Sequence, residues 1–264
     1  MGIMKNKKIL QFIKKKKPLV CLTAYSTYMA QIIDNYCDLI LVGDSLGMVI
    51  YGDSSTKNVS LQTMINHGKA VRKGISKSLL VVDMPKGTYE NSPNTALKNA
   101  KKIFLETKCD AIKVEGGKVI SNVIKKLVSN NIPVMAHIGL LPQHVSKPQD
   151  YKVKGRNIEE EENILNDLLA VQEAGAFSVV IEAVQHNLAE KLCRLSKIKT
   201  IGIGASKSCD GQILVTEDLL GFFDKNAKFV KKYENLKARV SNCILRYKND
   251  VIKKKFPTIK NIYY

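Results

Sequence analysis

The sequence predicts a (β/α)₈ barrel. Short runs rich in β-branched residues recur along the chain, segments with helical periodicity lie between them, and no Pro/Gly/Ser-rich linker divides the 264 residues. Seven such alternations, with a candidate eighth strand around 212–215, occupy about 215 residues, which suits a barrel of this type. An open doubly wound sheet is the alternative fold, but such a sheet more often has fewer strands.

Most of the predicted strands lack strict alternation of polar and apolar residues, so we expect both of their faces to be buried. The strands are predicted at 18–23, 39–43, 79–83, 111–115, 133–137, 178–182 and 200–204. The intervening helices are predicted at 28–36, 61–73, 95–107, 119–130, 159–173 and 187–195. Ser60 and Ser92-Pro93 are favourable helix starts, and the acidic run 159–162 suits the positive end of a helix dipole.

The chain after Asp224 is rich in lysine and carries apolar residues at helical spacing. These are Phe229, Tyr233, Leu236 and Val240. We therefore predict a single barrel domain over residues 1–264, in which residues 225–264 form a C-terminal helical extension that packs on the barrel or on another subunit.

The net charge of +18 comes from 42 basic and 24 acidic residues. Only five of the basic residues are arginines, the side chain best suited to specific phosphate and base recognition. The lysines are dispersed and not interleaved with aromatic residues, so we favour a solvated basic surface and expect no nucleic-acid partner. A basic nucleic-acid-binding protein is the non-enzyme alternative, and it would leave the acidic strand ends described below without a purpose.

The six cysteines lie far apart without a C-x-x-C pair, and the amino terminus lacks the features of a signal peptide. The apolar runs are strand-sized and too short to span a bilayer. We therefore expect a cytoplasmic protein with free thiols and no membrane partner. The spacing of the four histidines does not favour a zinc site.

Ionisable residues end five consecutive predicted strands. They are Asp44, Asp83, Lys113 with Glu115, His137 and Glu182. Each has an ordinary interpretation alone: the two aspartates as helix caps, Lys113 and Glu115 as an ion pair, the histidine as a core residue. Because catalytic groups of a barrel come from the carboxyl ends of its strands, their joint occurrence predicts one active site.

Three of these side chains, Asp44, Asp83 and Glu115, form an oxygen-rich set of the kind that Mg²⁺ prefers. A chelating 2-oxo acid would supply further oxygen ligands, and the ion would stabilise the enolate formed when a base removes the adjacent C–H proton. Glu182 lies outside the proposed metal trio and is the candidate base.

Several phrases at these positions resemble the ketopantoate hydroxymethyltransferase family. They are L-T-A-Y at 22–25, V-G-D-S-L-G-M at 42–48, K-V-E-G-G at 113–117, H-I-G-L at 137–140 with Pro142-Gln143, Y-K-V at 151–153 with Gly155-Arg156, I-G-I-G-A at 201–205 and D-G-Q-I-L-V at 210–215. They follow the family order over about nine-tenths of the chain, and the V-G-D-S-L-G-M and K-x-E-G-G phrases are specific.

The resemblance implies a (β/α)₈ barrel of the phosphoenolpyruvate/pyruvate type that assembles as a homodecamer with one Mg²⁺ per subunit. It also implies an activity in pantothenate biosynthesis. The family transfers a hydroxymethyl group from 5,10-methylenetetrahydrofolate to 3-methyl-2-oxobutanoate, giving 2-dehydropantoate through a Mg-stabilised enolate. A C–C lyase or hydrolase of the same superfamily, acting on a 2-oxo acid, is the alternative enzyme.

By motif, the resemblance implies that Asp44 and Asp83 hold Mg²⁺ and contact the oxo acid, and that Glu115 completes the metal surroundings. Ser45 and Lys113 bind substrate, Glu182 is the proton acceptor, and His137 donates a hydrogen bond to the new hydroxyl. The sequence departs from the family at Lys86, where the family has an aromatic residue, and at Ser206, where a glycine is common. Neither departure falls on a metal or base position.

Overall fold

A computed structural model describes residues 6–145 and 150–264. Within these ranges eight parallel strands form a closed barrel in sequence order. The strands are β1 Leu19–Thr23, β2 Leu39–Val42, β3 Leu79–Asp83, β4 Ala111–Glu115, β5 Val134–Gly139, β6 Ser178–Glu182, β7 Lys199–Ile203 and β8 Gly211–Leu214. The α-helices are α1 Lys7–Lys14, α2 Thr27–Ile33, α3 Leu46–Val49, α4 Leu61–Gly74, α5 Pro93–Thr107, α6 Ser121–Ser129, α7 Ile158–Glu173, α8 His186–Leu195, α9 Thr216–Leu219 and α10 Leu236–Ile252.

The predicted barrel is therefore confirmed, including its eighth strand. The strands pair in parallel from β1 to β8, and β8 returns to β1 with Leu19 opposite Gly211. Two of the predicted helix starts are also observed, since the Ser60 hydroxyl accepts from the Thr63 N–H and the Ser92 hydroxyl from the Thr95 N–H. Hydroxyl caps of this kind satisfy backbone donors that the first helical turn leaves free.

Helix α1 was not predicted from the sequence, and it closes the amino-terminal end of the barrel. Its Ile9 and Phe12 are buried in the same apolar cluster as inward-facing residues of the strands. The ring of Phe12 packs edge-on against that of Phe177, with 5.9 Å between centroids. Lysines on the exposed face of α1 masked this short apolar stripe in the sequence.

An aspartate precedes three of the strands and ties each of them to the preceding strand. Asp38 accepts from the Val20 N–H at 2.9 Å, and Asp110 from the Leu80 N–H at 2.9 Å. In the same way Asp210 accepts from the backbone of β7 at 2.8 Å. These carboxylates satisfy N–H groups where the barrel ladder begins, so the amino-terminal rim has a structural role.

Asp34, at the end of α2, organises the turn that enters β3. Its buried carboxylate accepts from the backbone N–H groups of Ser76, Lys77 and Ser78 and from the Ser76 hydroxyl. Burial opposes ionisation of Asp34, but the hydrogen bonds from Ser78, Ser76 and Lys77 prevail and hold its pKa well below the usual range.

We expect Asp34→Ala to lower the free energy of unfolding by about 2–3 kcal/mol, because three backbone donors lose a charged acceptor. Urea titrations followed by circular dichroism measure this loss. The folded pKa lies below the unfolded value of about 3.9, so the contribution is complete above that pH and disappears as the pH falls further. A difference between wild type and variant that stays constant down to pH 2 would contradict this account.

The chain divides into two compact units, residues 1–215 and 216–264. The second unit begins ahead of residue 225, where the helical extension was predicted to start. The helical spacing of apolar residues began at Phe229, but the long helix of this unit, α10, begins only at Leu236. Phe229 and Tyr233 precede it. The reason is a local cap, because the Asn235 side chain accepts from the Ala238 N–H at 3.1 Å. A single domain over residues 1–264 remains a prediction.

The described ranges contain no helix long and apolar enough to cross a membrane. They include all six cysteines, and each of them is a free thiol. The sulfur atoms of Cys193 and Cys209 lie 3.4 Å apart.

Candidate active site

The ionisable side chains predicted at the strand ends lie together at the carboxyl-terminal mouth of the barrel. The register places Asp83 of β3 beside Lys113 of β4. It also places Glu115 of β4 beside His137 of β5. Glu182 ends the next strand, β6, and is paired there with the end of β5. The strand order thus brings residues that are distant in sequence next to one another.

Lys113 lies between two carboxylates. Its Nζ is 2.9 Å from Asp83 Oδ2 and 3.6 Å from Glu115 Oε1, and all three side chains are buried. Burial opposes the lysine charge, but the adjacent carboxylates raise the pKa of Lys113 above its ordinary value. Burial also raises the pKa of Asp83 against the attraction of Lys113. The ammonium therefore provides the counter-charge that makes a buried carboxylate pair tolerable.

His137 continues this chain of charges towards Glu182. Its Nδ1 is 3.4 Å from Glu115 Oε1 and its Nε2 is 3.3 Å from Glu182 Oε2. Among the described residues neither ring nitrogen has a partner with hydrogen-bond geometry, so these are ion-pair contacts. Burial disfavours the imidazolium, but Glu115 and Glu182 together raise the pKa of His137 to about 9. The two carboxylates thus favour the protonated form of His137.

The negative charge of Glu115 is stabilised by cationic neighbours on two sides. Burial favours its neutral form, yet His137 and Lys113 lower the pKa of Glu115 to about 2. Its other carboxylate oxygen, Oε2, accepts from the backbone N–H of Gln143 at 3.0 Å. Glu115 is therefore an ionised carboxylate with little freedom to move.

Asp44 follows β2 and reaches the same mouth. Its N–H donates to Asp83 Oδ2 at 3.2 Å, and its own Oδ2 accepts from Gln143 Nε2 at 2.9 Å. Burial and the nearby Glu115 and Asp83 carboxylates raise its pKa. The cap interpretation of Asp83 finds no support, since the helix after β3 is capped by Ser92. Asp44 likewise directs its carboxylate into the cluster.

Ser45 lies beside Asp44 at the entrance to the mouth. Its hydroxyl is 2.8 Å from the Tyr25 hydroxyl, with either oxygen able to donate. Any side chain at position 43 would occupy this space, because its Cβ would lie 2.9 Å from Ser45 Oγ. Gly43 therefore lets the serine hydroxyl approach the strand end.

The donor set partly fits a hard cation. Asp83 Oδ1 is buried and has no hydrogen-bond partner among the described residues, which is what a carboxylate oxygen reserved for a ligand requires. Asp44 and Asp83 lie in direct contact, and Mg²⁺ is commonly held by one or two carboxylates with water and substrate oxygens. Within the described ranges no group of three or more His, Cys, Asp and Glu side chains forms a ready-made metal cluster. The pair of aspartates is therefore the part of the predicted trio that fits best.

Two buried residues of the site had no role in the sequence analysis, namely Gln143 and Tyr89. Gln143 lies in a short 3₁₀ turn after β5 and contacts Asp44 and Glu115. Tyr89 donates to the Gln143 side-chain oxygen at 2.7 Å. Neither is charged and neither ends a strand. Two signals pointed to Gln143, its position just after the β5 strand end and its place in the Pro142-Gln143 phrase.

Gly139 allows the ends of β5 and β6 to meet. Its φ is +91°, and a Cβ there would lie 2.4 Å from the Glu182 carbonyl oxygen and 2.6 Å from Val184 Cγ2. Gly87 offers a matched control, because its φ is +82° but a Cβ would have nothing within 4 Å. The two positions therefore separate backbone strain from steric conflict.

We expect Gly87→Ala to cost about 1–2 kcal/mol of unfolding free energy from its left-handed backbone alone. Gly139→Ala should cost about 1–3 kcal/mol more, because the added methyl group must displace the end of β6. Urea unfolding of both variants against wild type measures the difference. Equal losses in the two variants would show that Gly139 makes no close approach to Glu182.

The chain matches a sequence profile described as ketopantoate hydroxymethyltransferase over residues 4–259. It is 54% identical over 260 residues to the 3-methyl-2-oxobutanoate hydroxymethyltransferase of Pelagibacter ubique, covering 98% of this chain and 100% of that protein. It is 46% identical over 250 residues to the protein of the same name from Maricaulis maris, covering 95% of this chain and 90% of that protein.

Solved structures share the fold at low identity. A phosphonopyruvate hydrolase in complex with oxalate and Mg²⁺ superposes with a TM-score of 0.63 at 12% identity, covering 97% of this chain and 93% of that chain. A 2,3-dimethylmalate lyase of the PEP mutase/isocitrate lyase superfamily gives a TM-score of 0.59 at 12% identity, covering 99% of this chain and 87% of that chain. These likenesses support the (β/α)₈ barrel fold, as predicted.

Proposed function

Because this chain belongs to the ketopantoate hydroxymethyltransferase family, we propose that it transfers a hydroxymethyl group from 5,10-methylenetetrahydrofolate to 3-methyl-2-oxobutanoate. The product would be 2-dehydropantoate, and the pathway pantothenate biosynthesis. The observation that supports this reaction is the unbroken series of charged contacts from Asp83 through Lys113, Glu115 and His137 to Glu182. It offers groups to bind an anionic oxo acid and a carboxylate to remove its proton.

The substrate would be bound at the Asp44 side of the mouth. The Ser45 hydroxyl, which lies 2.8 Å from the Tyr25 hydroxyl, would donate to the substrate carboxylate. Lys113 contributes a buried positive charge that attracts the oxo acid and offsets the acidic side chains around it. These two groups would orient C3 of the substrate towards the opposite side of the mouth, where Glu182 lies.

Glu182 would accept the C3 proton. Its side chain is the most exposed carboxylate of the series, at 13%, and one of its oxygens lies 3.3 Å from His137 Nε2. Removal of the proton leaves an electron pair on C3, which forms the new bond to the one-carbon unit. In the net reaction both C–N bonds of the methylene bridge break and water supplies the hydroxyl group. Tetrahydrofolate leaves with two protons on its nitrogens, one in balance with the C3 proton and one from the water. His137, which lies beside Glu182, would then donate a hydrogen bond to the new hydroxyl.

Asp44 and Asp83 are the residues that would hold Mg²⁺, with Glu115 completing the surroundings. When bound, such an ion acts as a Lewis acid that stabilises the negative charge developing on the oxo acid. The buried Asp83 Oδ1, which has no partner in the described part of the chain, supports this assignment. The contact of Asp44 Oδ2 with Gln143 and of Asp83 Oδ2 with Lys113 keeps both carboxylates in fixed orientations.

A cavity of about 500 Å³ beside the end of β5 suits the folate co-substrate. Among the residues that line it are Lys152, Lys154 and Asp150. The two lysines would favour the acidic tail of folate. We further propose that the enzyme works in the cytoplasm as a homodecamer, and its free thiols are consistent with a reducing compartment.

A transfer assay on the purified full-length protein tests the proposal. Product formation from 3-methyl-2-oxobutanoate should require both methylenetetrahydrofolate and a divalent ion, and a chelator should abolish it until Mg²⁺ is restored. NMR detection of 2-dehydropantoate identifies the product directly. Carbon–carbon cleavage of a 2-oxo acid without folate would instead support a lyase or hydrolase and overturn the proposed function.

A further inference from the structure

Gln143 occupies a central position beneath the site. It belongs to the 3₁₀ turn Pro142–His144, directly after β5, and its side chain is fully buried. A buried amide is costly unless its donors and acceptor are all satisfied. The partners of Gln143 therefore show what this amide is placed to do.

Each polar group of the Gln143 side chain has a partner. Nε2 donates to Asp44 Oδ2 and to the Met84 carbonyl, both at 2.9 Å. Oε1 accepts from the Tyr89 hydroxyl at 2.7 Å. The amide orientation is determined by these contacts, because a rotated amide would place its oxygen against two acceptors. The hydrogen bond to Asp44 is thus held in a single geometry.

The backbone of Gln143 holds a second acidic residue. Its N–H donates to Glu115 Oε2 at 3.0 Å, while its carbonyl accepts from Lys86 Nζ at 2.7 Å. Tyr89 reinforces the arrangement, since its hydroxyl also contacts the backbone of Glu115. One uncharged residue therefore fixes an oxygen of Asp44, which follows β2, and an oxygen of Glu115, which ends β4, two strands that do not pair with each other.

Charge explains why an amide suits this position. Asp44 is buried close to Asp83 and Glu115, which already repel it. A carboxylate in place of Gln143 would add repulsion, and an ammonium would compete with a cation for the same oxygens. An amide donates two hydrogen bonds without changing the net charge of the site.

We propose that Gln143 is a positioning residue that orients Asp44 and Glu115 for a divalent cation, an inference that rests on the proposed function. Residues that support metal ligands from behind typically change affinity about 10–100-fold when they are replaced. Loss of this amide should therefore weaken cation binding, and saturating cation should restore proton abstraction by Glu182.

Gln143→Glu tests this role with little change in shape. Direct binding of Mn²⁺, followed by electron paramagnetic resonance without substrate, should show a dissociation constant raised about 10–100-fold. Exchange of the C3 deuteron of 3-methyl-2-oxobutanoate should then return to within a few-fold of wild type at saturating Mg²⁺. Gln172→Glu is the matched control, because the side chain of Gln172 on α7 accepts from the Lys197 N–H and, in the described ranges, makes no other hydrogen bond.

Tyr89→Phe is the second variant, for use if Gln143→Glu does not fold. It removes the hydroxyl that fixes the amide orientation, so the Mn²⁺ dissociation constant should rise several-fold. A wild-type dissociation constant in a folded Gln143→Glu protein, or failing that in Tyr89→Phe, would overturn the inference while leaving the proposed function intact. Absence of Mn²⁺ binding and of exchange in the wild-type enzyme would overturn both.

Discussion

Replacing Glu182 with glutamine should abolish exchange of the C3 deuteron of 3-methyl-2-oxobutanoate. The amide keeps the size of the side chain and its place at the end of β6, but it has no basic oxygen to take the proton. A general base typically contributes about 10²–10⁴-fold to such a step. NMR of the exchange measures this step without folate, because proton removal precedes carbon–carbon bond formation.

Substrate binding should survive the Glu182→Gln change, since Ser45 and Lys113 are untouched. Glu190→Gln is a suitable control, because Glu190 on α8 contacts the Ser208 hydroxyl at the surface. It should exchange the deuteron at the wild-type rate. Exchange within a few-fold of wild type in Glu182→Gln would remove Glu182 from the role of base.

Asp83→Asn should raise the Mg²⁺ requirement of the same exchange reaction by at least about 10²-fold. The change removes the charge of a proposed ligand and leaves Lys113 without its nearer carboxylate, 2.9 Å away. A titration of exchange rate against Mg²⁺, together with direct Mn²⁺ binding, separates loss of affinity from loss of fold.

Asp38→Asn provides the control for this charge removal. Asp38 lies at the amino-terminal rim, where it ties the start of β2 to β1. Its replacement should lower stability without changing the Mg²⁺ titration. If Asp83→Asn had the Mg²⁺ titration of wild type, Asp83 would not be a metal ligand.

The order of strands and helices could be predicted because a parallel barrel repeats one simple pattern. Buried strands such as 79–83 and 178–182 are short, continuous apolar runs, and their ends in sequence are their ends in the structure. The site followed from the same pattern, since carboxyl ends of parallel strands meet at one mouth. Charged residues placed there, such as Glu182, are conspicuous after an apolar run.

Other features depend on tertiary contacts that sequence periodicity does not carry. Helix α1 is stabilised by burying Ile9 and Phe12 under the barrel, and its short, lysine-rich sequence gave no strong signal. The helical spacing of Phe229 and Tyr233 lies outside α10, which begins at Leu236 after a cap at Asn235. The contacts of Gln143 with Asp44 and Met84 join segments distant in sequence, so no local pattern predicts them.

The pairing of β1 with β8 has a consequence for synthesis of the chain. Leu19 pairs with Gly211, so the hydrogen bonds between β1 and β8 form only after the last strand has been synthesised. Until then both ends of the growing sheet expose unpaired backbone groups, which invite association with other nascent chains. Contacts of such large sequence separation also slow folding. Chaperone protection of the nascent polypeptide is therefore most valuable before residue 211 emerges.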